Sequence, residues 1–441
     1  MRHSDRRGGT LTAEVPGSGS SPRPADRPAT YREVFGVPEF RPLFGTFLLS
    51  TAGDELARVA LTVLVYQRTS SPLLSALTFA ISHFPWLIGG PLLSTLADRL
   101  PRHRVVIGAD AVRAVLLGLM AVPGMPLPVL LGLLLLVSLC APPFESARSA
   151  LMADVLEGER YALATSLTTI TLQVAQVVGF LVGGALAALH PSTALAIDAV
   201  TFAVSALWLW ARLERRPAPA TSETGTPRSL WRDTTEGLRF IGSTPRMLAI
   251  MAVLWVGALF GNAWEGIAAP LTDELGRGSM ALGVLLAANP AGIVVGGLVL
   301  GRFVPSARRE RLVVPLVLLS LAPLLIAGLV AAEGAVPFGA VLALLFLSGL
   351  GATWLIPLNV SFVQAAPAAY RGRAFGVAVS GLYGVQGIGA LLAGLTAEGL
   401  LPSSVLALCG GLGMIAVAPA LVSYRRTQQR TAIEAEGAPR A

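Results

Sequence analysis

Asp54, Glu55 and Arg58 interrupt an apolar run over residues 43–66, where a hydrophobic helix would otherwise carry no charge. An ionisable side chain inside a bilayer costs ~2.5–3.5 kcal/mol even on a lenient scale, so each of the three is a functional candidate. Counted from residue 43, Asp54 lies ~16 Å along a helix, close to the middle of a ~30 Å hydrocarbon core. Ser50, Asp54 and Arg58 share one helical face at a spacing of four, and Glu55 points about 100° away. This spacing lets Asp54 pair with Arg58, which would leave Glu55 as the more easily protonated carboxyl. The roles swap if substrate displaces the Arg, and the sequence does not decide which of the two titrates. Such a set suits the coupling of proton movement to another event. The alternative is a static ion pair that joins this helix to its neighbours. His83, in the next apolar run, titrates in the range of physiological proton traffic; the plainer reading is a hydrogen-bonded ring packed beside Phe84, Pro85 and Trp86.

Those side chains need helices long enough to hold them in a membrane. Of 441 residues, 54% are hydrophobic and 13% charged, whereas soluble domains carry about 25% charged residues. Apolar stretches able to cross the core recur at 43–66, 73–96, 104–124, 128–147, 163–188, 193–212, 247–270, 279–301, 312–331, 337–358, 374–396 and 403–423. The expected fold class is therefore an all-α integral membrane protein with twelve transmembrane helices. The polar stretch 213–246, with Pro217, Pro219, Ser222, Gly225 and Pro227, divides these runs into two sets of six. The expected organisation is a disordered tail over 1–42, one bundle over 43–212, a linker over 213–246, a second bundle over 247–423 and a tail over 424–441.

All 33 basic residues are Arg, which excludes a phosphate-loop ATPase, whose motif needs Lys. The N-terminal tail, the loops after even-numbered runs and the C-terminal tail hold 29 of these 33, whereas the opposite loops hold Arg68 and Arg277. By the positive-inside rule, both termini are cytoplasmic and the protein sits in the cell membrane. The net charge of +7 does not point to nucleic acid, because the Arg residues lie between hydrophobic runs and not on one folded face. Cys140 and Cys409 fall in apolar runs of different halves, so neither a disulfide framework nor a metal site is expected. The first 40 residues contain no apolar signal-peptide core. No nucleophile–base set emerges, and the chain is not read as an enzyme.

Residues Gly89 to Arg104 read GGPLLSTLADRLPRHR, an apolar run that ends on Ala-Asp-Arg and a short basic turn. The segment resembles the loop between spans two and three of the major facilitator superfamily, roughly G-x-x-x-D-R-x-x-R-R, with Pro101 in place of the usual Gly. Gly90 would let two helices approach, Asp98 would accept hydrogen bonds from a neighbouring helix end, and Arg99, Arg102 and Arg104 would sit at the membrane surface. The resemblance implies a latch on the cytoplasmic side. Residues 40–71, the Pro/Ala-rich end of span four with ALMADVL, and residues 197–209 are similar to one branch of that superfamily. This branch includes macrolide-efflux proteins, the enterobactin exporter and drug:proton antiporters. The basic residue that the branch carries midway along span four is missing here.

Gly179, Gly183 and Gly184 keep the glycines of the antiporter signature G-P-x-x-G-G, with Phe180 in place of Pro. The signature implies a closely packed helix bend near an outer gate; ordinary helix packing is the alternative. A weak internal repeat aligns ALMADVLEGERYALATSL with QAAPAAYRGRAFGVAVS, and Arg102-His103-Arg104 with Arg309-Glu310-Arg311. Pro305 stands where the first copy has Asp98. Facilitator folds contain such parallel repeats as two pseudo-symmetric six-helix bundles.

Asp110 and Arg113, one turn apart, are expected to pair with each other or with the Asp98 loop. Glu145 with Arg148 marks the inner end of span four as a gate contact. Trp255, Asn262, Trp264, Asn289, Tyr383 and Gln386 bring polar and aromatic groups to cavity depth, which suits a large amphipathic organic molecule better than a sugar or an inorganic ion. Packing between helices or at the lipid boundary is the alternative for the Trp residues. Asp198 and Glu265 either line the outer half of the cavity or cap outer loops. The expected function is a proton-coupled exporter of a drug-like or secondary-metabolite small molecule, working by alternating access as a monomer in the lipid bilayer. Protons are the coupling ion, with no other cofactor. An uptake carrier of the same fold, and a non-transporting membrane receptor or assembly partner, are the alternatives.

Overall fold

The computed structural model describes the backbone of residues 30–216, 230–333 and 337–437, and their side chains except at 88–99, 230–234, 306–307, 368–369 and 431–437. Among the described residues every regular element is helical. The first half contains α1 (Tyr31–Phe35), α2 (Phe40–Thr69), α3 (Pro72–Arg99), α4 (Arg102–Met120), α5 (Leu127–Leu139), α6 (Ala141–Val155), α7 (Glu159–Leu189) and α8 (Pro191–Arg212). After α9 (Leu230–Ser243) the second half contains α10 (Pro245–Asn262), α11 (Ala268–Glu274), α12 (Ser279–Phe303), α13 (Ser306–Arg309), α14 (Val313–Ala332), α15 (Phe338–Ala352), α16 (Leu355–Ala365), α17 (Ala368–Ala397) and α18 (Pro402–Gly437). Several start on Pro, which fits a first turn because no backbone N–H is needed there.

Nine stretches among the described residues are long and apolar enough to cross a membrane. They correspond to the fourth through twelfth apolar runs. The first three runs fall on α2, α3 and α4, and the charges on α2 and α4 that mark them as functional also lower their hydropathy. Three of the nine stretches are broken. A bend at Cys140 before Pro142 and Pro143 separates α5 from α6, since Pro removes a helix hydrogen bond and clashes with the preceding turn. A 3₁₀ turn, Ala263–Ile267, joins α10 to α11, and Thr353–Trp354 divides α15 from α16.

Helical structure also appears in the stretches read as tails and linker. A capping box between Thr30 and Glu33 starts α1, and Phe35, Phe40 and Phe44 pack together with ring centroids 5.4–5.5 Å apart. α9 lies inside the linker and is held on α17, with Glu236 2.6 Å from Arg373 and the Phe240 ring stacked 5.0 Å from that of Tyr370. α18 continues past residue 423.

The loops after odd-numbered runs, among them those with Arg68 and Arg277, mark one end of the molecule, and the loops after even-numbered runs an Arg-rich end. At the Arg-poor end the two halves are fastened together. Tyr66 donates to Asp273 at 3.2 Å, and Glu398 accepts from Ser71 at 2.5 Å and from the Leu73 amide at 3.0 Å. There α7 meets α12 backbone to backbone: a Cβ built on Gly184 would stand 2.7 Å from the Cα of Gly283. At the Arg-rich end, the described pairs Arg102–Asp154, Glu39–Arg216 and Arg246–Glu310 each stay within one half.

Candidate functional site

Between the halves lies a cavity of about 700 Å³. Along α7 it runs from Phe180, near the fastened end, to Tyr161, two residues into the helix at the Arg-rich end. The halves are fastened at the Arg-poor end, and the cavity extends to the Arg-rich one. Both halves line it, the first with Asp54, Glu55, Arg58, His83, Arg113, Glu145 and Arg148, the second with Asn262, Glu265, Asn289, Tyr383 and Gln386.

The pairing within α2 differs from the one its spacing of four allows. Arg58 sits 2.7 Å from Glu55, three residues earlier, and not on Asp54. Positions three apart are neighbours on a helix as much as positions four apart, and the surroundings decide between them. Gly179 of α7 lies against Ala52 and Glu55, which brings Gln176 to donate to Glu55 at 3.2 Å. The Arg58 guanidinium covers the Phe79 ring at 5.3 Å. Asp54, with 41% of its side chain exposed, instead faces Arg113 of α4 at 4.0 Å.

Arg113 is the second correction. It does not pair with Asp110, whose carboxylate accepts a hydrogen bond from Ser205 of α8. The guanidinium is buried between the Phe144 and Phe202 rings, 5.3 and 5.2 Å from their centroids, and Asp54 is its ion-pair partner. Asp110 and Asp198 stand nearby, and both are fully buried. Asp198 lies against Gly53, and its Oδ1 accepts from Thr201 at 3.0 Å.

Glu145 and Arg148 lie on the cavity wall, and their helix continues to Val155, past the point where hydropathy ends the fourth run. Arg148 Nε donates to Glu145 at 2.9 Å and its guanidinium rests 4.1 Å over the Phe47 ring. Arg148, just past the end of the fourth run, thus brings a basic group to the cavity. His83 Nδ1 donates to the Phe79 carbonyl at 2.8 Å, and its ring lies 5.9 Å from that of Tyr383. Two expected cavity residues are not on its wall: Trp264 is fully buried, and Trp255 Nε1 donates to the Ala378 carbonyl at 3.2 Å while its ring packs on Gly381.

The glycines of the antiporter-like motif divide their work. Gly179 and Gly183 seat α7 on α2, and Gly184 meets the other half at Gly283. In the loop motif, Arg102 is 2.6 Å from Asp154 and Arg104 is exposed; Gly90 falls within α3, and the side chains of Asp98 and Arg99 lie outside the described residues. Residues not singled out from sequence also line the cavity, namely Gln176, Trp86 and Trp354. Trp86 and Trp354 sit in apolar stretches where nothing distinguishes a cavity-facing ring from a packed one.

Residues 43–336 match the Major Facilitator Superfamily. The multidrug efflux pump Tap of Mycobacterium tuberculosis (strain ATCC 25618 / H37Rv) is 30% identical over 413 residues, covering 87% of this chain and 94% of that protein. The lysophospholipid transporter LplT of Serratia proteamaculans (strain 568) is 26% identical over 356 residues, 76% of this chain and 81% of the relative. Among solved structures, a POT family transporter in complex with 5-aminolevulinic acid superposes with a TM-score of 0.69 at 12% identity, covering 87% of this chain and 96% of that one. The peptide transporter POT in complex with sulfate gives 0.68 at 16% identity, with 90% and 94% covered. These are helical transporters of the same architecture. By the family match, the shared length and the helical fold, the chain belongs to the Major Facilitator Superfamily and is a multi-pass membrane transporter, not an enzyme.

Proposed function

We propose that this transporter exports a drug-like organic molecule in exchange for protons, by alternating access in the cell membrane, with twelve spans in two six-helix bundles and both termini cytoplasmic. The charged cavity carries the reading. Guanidinium and carboxylate groups face a chamber that is fastened at the Arg-poor end and extends to the Arg-rich one, as in one half of an alternating-access cycle. Arg-rich loops mark the cytoplasmic side, so the chamber is entered from the side on which an exporter loads. The similarity to a protein named as a multidrug efflux pump favours the same direction.

Asp54 and Glu55 are the proposed proton carriers. Glu55 holds Arg58 at 2.7 Å, and Asp54 is open to the chamber opposite Arg113. A proton taken up by either carboxylate while the chamber faces outward frees its guanidinium and disfavours cargo. Loss of that proton on the Arg-rich side restores the ion pair and lets cargo load, so proton and cargo cross in opposite directions. At ~100 mV one charge moved inward supplies about 2.3 kcal/mol, enough for a roughly fiftyfold gradient of cargo.

The test is accumulation of a chemically diverse compound panel in cells with and without the protein, repeated after the proton gradient is collapsed. Export that stops with the gradient, and that Asp54→Asn or Glu55→Gln abolishes while protein levels hold, is the expected result. Movement into the cell would identify an uptake carrier. Flux indifferent to the gradient, or no flux for any compound, would overturn the proposal.

A further inference from the structure

The charges of the cavity do not cancel in pairs. Arg58 faces Glu55 at 2.7 Å, Arg148 faces Glu145 at 2.9 Å and Arg113 faces Asp54 at 4.0 Å. Asp198, also at the wall, is fully buried, with Oδ1 held by Thr201. Glu265 remains. Among the described residues it has no hydrogen bond or ion pair, and its charged neighbours are Arg58, already engaged, and Glu55.

The local structure aims this carboxylate into the chamber. Glu265 belongs to the 3₁₀ turn that interrupts the span between α10 and α11. The other four residues of that turn, Ala263, Trp264, Gly266 and Ile267, are buried, and Glu265 alone is half-exposed and lines the cavity. Gly266 packs against Ala390 of α17, and the turn as a whole rests on α3 and α17. Those two helices supply Trp86 and Tyr383, whose rings stack with centroids 4.8 Å apart on the same cavity wall.

We propose that Glu265 and the Trp86–Tyr383 pair recognise the cargo as an organic cation with attached aromatic or aliphatic bulk. A cation brought into the chamber must exchange its hydration for a fixed counter-charge, and Glu265 is the carboxylate not already taken by an Arg. The aromatic faces accept the bulk and attract the charge. An organic anion of the same shape meets Arg residues that are each held by a carboxylate, so it finds no free partner. This rests on reading the cavity as the cargo chamber and adds the sign of the cargo's charge.

Tetraphenylphosphonium and tetraphenylborate have nearly the same shape and opposite charge, and they test the proposal without any gradient. Binding of each to the purified full-length protein in detergent is measured by calorimetry, with protein-free micelles as the blank. The phosphonium is expected to bind at least tenfold more tightly than the borate. Glu265→Gln should weaken the phosphonium at least tenfold and erase that preference, Glu265→Asp should retain part of it, and Trp86→Leu should weaken the phosphonium severalfold. Thermal unfolding of each variant separates a lost site from a lost fold. Equal binding of both ions, no binding of the phosphonium, or full affinity in a folded Glu265→Gln protein would overturn the proposal. Phosphonium binding without gradient-dependent efflux would count against proton-driven export and leave the cation site standing.

Discussion

Glu398 accepts a hydrogen bond from Ser71 at 2.5 Å, joining residues 327 positions apart in the chain and with them the two halves. The same carboxylate takes the Leu73 amide at 3.0 Å, so a residue of the second half caps the first turn of α3. The Ser71 hydroxyl and the Leu73 amide hold the Glu398 carboxyl below its ordinary value of 4.5, with slight burial opposing them. A lowered carboxyl favours the fastened state fully above that ordinary value, and the benefit is lost as the pH falls through the lowered one. Spin labels at the Arg-poor ends of α2 and α17, in a protein with Cys140 and Cys409 replaced by Ser, should therefore separate in Glu398→Gln at neutral pH. The unsubstituted protein should approach that distribution only below the ordinary Glu range. Identical distributions at all pH values would refute the latch.

Gly283→Val should open the Arg-poor end. The backbones of α7 and α12 touch there, and a Cβ built on Gly283 would stand 2.9 Å from the Gly184 Cα and closer still to the Phe180 carbonyl oxygen. Overpacking such a contact costs ~1–3 kcal/mol, and only in states that keep the seam closed. A cysteine placed at Ser279 should then react at least severalfold faster with a membrane-impermeant maleimide added from that side. An unchanged rate would show that the seam yields without opening.

Arg113→Leu should destabilise the protein by ~3–5 kcal/mol, because it leaves Asp54, and the nearby Asp110 and Asp198, without their buried cation. Thermal unfolding in detergent measures the loss. Combining Arg113→Leu with Asp54→Asn should recover part of it, and a simply additive double variant would argue that the Phe144 and Phe202 contacts dominate.

Trp255→Phe serves as a control away from the chamber. It removes the hydrogen bond to Ala378, worth ~1 kcal/mol. Its unfolding temperature should fall slightly while its affinity for tetraphenylphosphonium is unchanged. A parallel loss of affinity would return Trp255 to the cavity wall.

Charge in apolar surroundings is legible in the sequence. Asp54, Glu55, Arg58, Arg113, Glu145, Arg148 and Glu265 all converge on one cavity, since the cost of burial leaves few other places for them. Choice of partner is not. Arg58 could turn to either carboxylate of α2, and the outcome depends on Gln176 and Phe79, which arrive from other helices. Asp110 and Arg113 look like neighbours on one helix, yet Ser205 and Asp54 claim them from elsewhere. Helix ends fail for a related reason. Hydropathy stops the fourth run at residue 147, but the helix reaches Val155, because a polar residue facing an internal chamber reads the same as one facing water. Trp255 shows the converse, an amphipathic ring whose polar edge is satisfied by a backbone carbonyl.

The glycine seam also sets a mechanical ratio. Gly184 lies 25 residues from Glu159, where α7 begins at the other end of the molecule, a straight-line reach of ~37 Å along the helix. A tilt of about 10° pivoting at the seam would carry the far end through about 6 Å, while the backbones at Gly184 and Gly283 barely slide. While the seam stays closed, a small tilt about it would therefore be magnified into an aperture of several ångström at the other end.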